Sequence, residues 1–206
     1  MDTLETLLLS FISKTFRPGR IFFLEDLEPS GIEPEVLRVL LSRLASTGND
    51  IVRLCRGCYC YPLRQEYSNA PVLPVLDEIV SSLASRWKVR IAPCGAQAAW
   101  LSGLTSLQLN PLEYISDGSE QSFSLIGGKR VVFMRRKSVK VFEFSSERLR
   151  NLVEGLRYIG KDGVGDRERG VVSGTLFQVD AKDYLHDYRL CPLWIRELFQ
   201  SCRPVA

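Results

Sequence analysis

The chain has 206 residues, 45% of them hydrophobic and 25% charged. That is ordinary globular composition and excludes a mostly disordered, collagen-like or membrane-spanning chain. Lys and Arg number 27 against 24 Asp and Glu, a net charge of +3 that is too mild by itself to mark a nucleic-acid binder. No apolar run approaches the roughly 18 residues a membrane helix needs. Asp2 and Glu5 stand where a signal peptide would be basic, so the cytoplasm is the expected compartment and no membrane partner is expected.

In chain order, Leu4, Leu7, Leu8, Phe11 and Ile12 recur at helical spacing, with Asp2 available as an N-cap. Arg17-Pro18-Gly19 ends that helix, and Phe22 to Leu27 reads as a short second one closed by Pro29-Ser30-Gly31. Pro34 suits a first helical position. The residues after it carry Val36, Leu37, Leu40, Leu41 and Leu44 as a buried stripe until Gly48-Asn49. Ile51 to Leu54, a Cys55-Arg56-Gly57 turn and Cys58 to Tyr61 then read as a β-hairpin. Three helices followed directly by a hairpin is the order of a winged helix-turn-helix.

Residues 63–74 are polar, carry Pro71 and Pro74, and read as a linker. Leu76, Ile79, Val80, Leu83 and Trp87 then mark an amphipathic helix. A short strand at 89–91 leads through Pro93-Cys94-Gly95 to a small-residue helix, 96–101. Residues 113–116, 121–126, 130–135 and 138–144 read as strands, with Gly127-Gly128 as a hairpin turn. A helix over 147–159, a mobile Gly- and charge-rich loop over 160–170 and a last helix over 193–202 follow. The expected fold is α+β. Residues 1–62 form an N-terminal winged helix-turn-helix, 63–74 a linker, and 75–206 a mixed α/β C-terminal domain with an antiparallel sheet.

The mild net charge hides an uneven distribution. Residues 1–35 carry a net −4, residues 36–62 a net +3, and residues 129–140 a net +6 with no acid among them. Local charge is what a partner meets. With positions 37, 40, 41 and 44 facing inward, Arg38, Ser42 and Val39 face outward and Arg43 flanks them. Arg38 could read guanine O6 and N7, Ser42 could reach a base or a phosphate, and Arg53 and Arg56 on the hairpin could meet phosphates. The acids Glu33 and Glu35 oppose this by repelling phosphate, and winged helices also serve as protein-interaction modules. Lys129, Arg130, Arg135, Arg136, Lys137 and Lys140 form a second basic surface, more cations than guarding a sheet edge requires.

Enzyme, metal and cofactor chemistry are not expected. Cys55, Cys58 and Cys60 crowd three thiols into six residues, whereas zinc favours two separated ligand pairs, and the only histidine is His186. The six cysteines are no disulfide framework in a chain of this length. His186 has no nucleophile in an elbow context. Gly160 to Gly165 lacks the Gly-Lys-Ser/Thr ending of a phosphate loop. Glu113, Asp117 and Glu120 belong to a turn-rich stretch that needs no catalysis to explain it.

Several stretches resemble one family. Gly19, Phe23 and Asp26-Leu27 come first. Val36, Leu40, Leu44 and Gly48 follow, and then Ile51, Arg53-Leu54, Arg56-Gly57, Tyr59 and Tyr61-Pro62. In the second half the matching residues are Pro93, Gly95, Ala98-Ala99, Leu101 and Gly103-Leu104, then Tyr114 and Asp117-Gly118, and finally Leu190, Pro192, Trp194-Ile195 and Leu198. In this order they are similar to the AbiEi-type antitoxins of type IV toxin–antitoxin systems. Cys58 and Cys60 stand where that family carries aliphatic and aromatic residues, and Ser102 departs from its Leu-Gly-Leu-like ending. The resemblance implies a bacterial DNA-binding antitoxin and transcriptional autorepressor. Its winged helix would hold double-stranded operator DNA, an inverted repeat, through Arg38, Ser42, Arg43, Arg53 and Arg56. Its second domain would counteract a nucleotidyltransferase-like toxin, and the 129–140 cluster would be a second DNA-contacting or antitoxin surface. The alternatives are an interaction module and a general transcriptional regulator without a toxin partner.

Overall fold

The computed structural model describes residues 3–108, 110–135 and 140–202. The chain is a mixed α+β protein whose contacts divide it into two compact units. One is Met1–Lys88 with Phe123–Gly128, the other Val89–Ser122 with Lys129–Ala206.

The first unit opens with helix α1 (Thr3–Thr15), strand β1 (Ile21–Phe23) and a 3₁₀ turn over Leu24–Ser30. The expected helix from Phe22 is therefore corrected. Ile21, Phe22 and Phe23 pair antiparallel with Cys60, Tyr59 and Cys58, and the β-favouring Ile-Phe-Phe run is worth more there than as a first helical turn. The turn begins only where the Asp26 carboxylate accepts the Phe23 N–H at 2.8 Å. Helix α2 (Pro34–Thr47) follows and stops at Gly48, whose φ of +63° takes the left-handed cap. Strands β2 (Val52–Cys55) and β3 (Cys58–Cys60) complete a three-stranded sheet in the order β1-β3-β2.

Leu37, Leu40, Leu41 and Leu44 of α2 are buried. They share one core with Leu8 and Ile12 of α1, Phe22 of β1, Leu27, Ile51 and Tyr59. Phe22 stacks between Phe16, at 5.0 Å, and Tyr59, at 5.8 Å. Val36 is a correction to the expected stripe: it is exposed, as are Leu4 and Leu7 of α1. Within 63–74, Leu63–Arg64 (β4) and Pro71–Val72 (β5) pair as a small ribbon. Helix α3 (Leu76–Arg86) follows, burying Ile79, Val80, Leu83 and Ala84.

The second unit contains β6 (Ile91–Pro93), α4 (Gly95–Leu101), β7 (Leu112–Ser116) and β9 (Arg130–Arg135); β8 (Gln121–Ser124) has its first two residues in this unit and its last two in the other, and the strand order is β6-β7-β9-β8. The sheet is mixed rather than antiparallel: β6 runs antiparallel to β7, but β7 and β9 run parallel, Tyr114 opposite Phe133. The strands on either side of Gly127-Gly128, β8 and β9, are hydrogen-bonded neighbours as the hairpin reading expects, and what that reading does not give is the parallel pairing of β9 with β7 on its other side.

Lys140–Glu143 is a 3₁₀ turn rather than part of a strand. Four helices complete the unit: α5 (Glu147–Ile159), α6 (Asp166–Phe177), α7 (Ala181–Tyr188) and α8 (Leu193–Cys202). Helix α6 corrects the mobile loop expected over 160–170. It begins where the Glu168 carboxylate accepts the Gly165 N–H at 3.0 Å, so the chain's own anion fills the helix start. The core gathers Leu149, Leu152, Val153 and Leu156 of α5 against Ala99, Val172, Tyr184, Ile195 and Phe199. Among the described residues no helix is long and apolar enough to cross a membrane.

Candidate nucleic-acid interface

The outward face of α2 follows from its inward one. With leucines buried at 37, 40, 41 and 44, helical geometry turns Glu35, Arg38, Val39, Ser42 and Arg43 away from the core, and all five are exposed. Arg38 donates to Glu35 at 3.2 Å, one turn earlier, with both side chains mostly in solvent. A pair that open to water is worth at most about 1 kcal/mol, and a stronger anion can displace it. Ser46 and Thr47 spend their hydroxyls on the Arg43 and Leu44 carbonyls, which leaves Ser42 as the better placed hydroxyl on this face.

Helix α2 leads directly into the β2–β3 hairpin. Gly57, with φ of +75°, allows the two-residue turn. Arg56 is exposed at its tip, and Arg53 is exposed on β2 with its Nε donating to the Cys55 carbonyl at 3.3 Å. Arg38, Ser42, Arg43, Arg53 and Arg56 thus all belong to one compact unit and all face solvent.

The second basic cluster is less concentrated. Lys129 donates to Gln108 Oε1 at 2.7 Å, and Arg130 Nε donates to Ser122 Oγ at 3.0 Å. Arg130 and Arg135 begin and end β9, about 16 Å apart at roughly 3.3 Å per residue. Lys140 lies on the 3₁₀ turn, exposed. Arg136 and Lys137 lie outside the described residues, as does the Arg135 side chain.

The sequence grouped Cys55, Cys58 and Cys60 without their register. Cys55 stands opposite Cys58, while Cys60 stands opposite Val52 on one side and Ile21 on the other. Among the described residues no His, Cys, Asp or Glu cluster could hold a metal ion. A hydrogen bond from Cys58 holds the Cys55 thiol below its ordinary value, with Arg53 adding to the effect. The same bond and burial push Cys58 up. Burial chiefly raises Cys60, to about 11.

His186 belongs to a different arrangement. Its Nδ1 lies 2.9 Å from Asp187 and 3.3 Å from Ser145 Oγ. Asp187 is fully buried and accepts the backbone N–H groups of Ser145 and Ser146 at 2.7 and 2.9 Å. That carboxylate anchors the chain entering α5. One imidazole nitrogen faces both neighbours, so the three do not form a relay in which the two ring nitrogens serve different partners.

Sequence reasoning missed Arg86 at the end of α3. It pairs with Glu25 through both terminal nitrogens and lies 4.7 Å from the Phe23 ring centroid. It shares a groove of about 1090 Å³ with Arg20, Glu78, Ser82 and Trp87. No local pattern joins residues 61 positions apart.

The model of a family of unknown function, DUF6088, matches residues 9–184, most of both units. The chain belongs to that family. No curated protein matches it. In this DUF6088 member Arg38, Ser42, Arg43, Arg53 and Arg56 all lie within the matched residues.

Proposed function

We propose that the chain is a DNA-binding antitoxin that represses its own operon and counteracts a nucleotidyltransferase-like toxin. In this reading the first unit is a winged helix-turn-helix. The 3₁₀ turn and α2 are its helix-turn-helix, α2 is the recognition helix, and the hairpin Val52–Cys60 is the wing, tied back by pairing of β3 with β1. The observation that carries the reading is the leucine-backed face of α2, which turns Arg38, Ser42 and Arg43 outward immediately before a hairpin that exposes Arg53 and Arg56. A recognition helix needs side chains that reach base edges, and a wing needs cations for the flanking backbone. The toxin partner rests on the resemblance to AbiEi-type antitoxins.

A second reading, a winged helix that binds protein, draws on Val36 and Val39, which are 37% and 51% exposed on the same helix. A mobility-shift titration of the full chain on the inverted repeat upstream of its own gene separates the two. Salt-dependent retention that is lost on joint Arg38→Ala and Arg56→Ala substitution is the expected result. Retention unchanged by the pair removes the recognition-helix reading. Absent retention, with the chain capturing the toxin directly, favours the protein-binding one.

A further inference from the structure

Cys55 and Cys58 flank the Arg56-Gly57 turn as direct cross-strand partners. Antiparallel partners have Cα atoms about 4.5 to 5.5 Å apart, inside the roughly 4.4 to 6.8 Å span that a disulfide bridges. Both side chains are buried on the same short hairpin, with the Cys55 thiol facing the Arg56 carbonyl at 3.9 Å. Cys60 is excluded from such a bridge by register. Its cross-strand partners are Val52 and Ile21, and Cys58 lies two residues along the same strand, near the upper limit of the bridging span.

We propose that Cys55 and Cys58 are a modification site, a dithiol that a hydroperoxide converts to an intramolecular disulfide closing the Cys55-Arg56-Gly57-Cys58 turn. Cys55 is the attacked residue. It is the more accessible of the two, 8% exposed against 0% for Cys58, and its thiol is the one held below the ordinary value, which favours its deprotonation over that of Cys58. Its thiolate sulfur takes the distal oxygen of the peroxide, breaking the O–O bond. This leaves a sulfenic acid and, after protonation, water from hydrogen peroxide. The Cys58 sulfur then attacks the Cys55 sulfur, expelling hydroxide, which leaves as water with the Cys58 proton. Two thiols are oxidised and one peroxide is reduced to two waters.

The bridge sits inside the candidate wing. The β2–β3 register shifts between Arg53 and Cys55, and Arg53 is anchored on the Cys55 carbonyl. Drawing the two Cβ atoms to disulfide spacing takes up that irregularity and moves the anchor, so oxidation weakens DNA binding. This consequence, unlike the bridge itself, rests on the proposed function.

The test treats the reduced full chain with hydrogen peroxide, alkylates the remaining thiols, denatures and digests with trypsin, which cuts after Arg53, Arg56 and Arg64. The expected product is a reductant-sensitive species joining the peptide that ends at Arg56 to the one that begins at Gly57. It should persist in Cys60→Ser and vanish in Cys58→Ser. Unlinked peptides in the wild-type chain, or a link that survives Cys58→Ser, overturn the site. Retention of operator DNA should fall several-fold on oxidation and recover with a thiol reductant, in the wild-type chain and in Cys60→Ser alike. A bridge that forms without changing retention overturns the coupling. A bridge in a chain that binds no DNA in either state overturns the operator reading and leaves the modification site standing.

Discussion

Arg86, the last residue of α3, holds Glu25 with both terminal nitrogens of its guanidinium while lying over the Phe23 ring. The hydrogen bond from Arg86 is the main reason that the Glu25 carboxyl sits below its ordinary value of about 4.5. A lowered folded-state value means that the pair stabilises the fold above the unfolded value and loses that contribution as pH falls through the folded one. The side chains are 31% and 54% exposed, so solvent screening limits the gain to about 0.5 to 1 kcal/mol. Glu25→Gln is expected to lower stability by that amount at pH 7 and by less in acid, as pH falls through the folded value, measured by urea unfolding at both. An equal loss at both values would mean that packing on Phe23, not charge, does the holding.

Gly155 lies in the middle of α5, where a Cβ would come within 2.8 Å of the Ala99 Cα, 2.9 Å of Ser102 Oγ and 3.0 Å of the Ala99 nitrogen. Two of those three atoms are backbone and cannot rotate away, so α4 and α5 must separate to admit a methyl group. Gly155→Ala is expected to destabilise by roughly 1 to 3 kcal/mol, the range for overpacking. In α6, a Cβ on Gly174 meets nothing within 4 Å. The same substitution there should stabilise by about 0.5 to 1 kcal/mol through helix propensity. Opposite signs in thermal unfolding of the two variants check the close approach of α4 and α5.

Asp187 has no exposed surface and serves the Ser145 N–H, the Ser146 N–H and His186. Asp187→Ala leaves two backbone donors without their acceptor at the entrance to α5, at about 1 to 3 kcal/mol for each buried group left unpaired. Asp187→Asn keeps one carbonyl oxygen and should recover part of the loss. His186→Ala removes a mostly exposed ring and should cost less than either. Chemical denaturation of the three variants gives the order; a His186→Ala loss equal to that of Asp187→Ala would make the imidazole, not the backbone anchor, the principal partner.

The parts legible in the sequence are those written in local periodicity. The leucines of α2 recur at helical spacing, and their burial matches the pattern residue for residue except at Val36. The Gly57 turn and the helices α5 and α8 lie where their caps and periods place them. What the sequence hid depends on long-range pairing. Phe22 and Phe23 read as the start of a helix until β3 is present to pair with them. The 130–135 strand reads as a hairpin arm beside 121–124, and its second neighbour, the parallel β7, has no local signal. The Cys55–Cys58 pair was visible as composition but not as register, since the irregularity after Arg53 decides which thiol faces which.

The two basic clusters can be separated by salt dependence. Each phosphate contact that a cation makes adds about 0.9 to the slope of log K against log salt on duplex DNA. Arg56 is exposed at the hairpin tip, so Arg56→Ala should lower the slope by about one contact. Lys129 and Arg130 are held by Gln108 and Ser122 in the second unit, and their guanidinium and ammonium groups are aimed at those local partners. Arg130→Ala is therefore expected to leave the slope unchanged. Equal drops from Arg56→Ala and Arg130→Ala would make the second cluster a DNA surface too. A drop from Arg130→Ala alone would move the interface off the hairpin altogether, because a wing that carries no phosphate contact has no electrostatic role in holding the duplex.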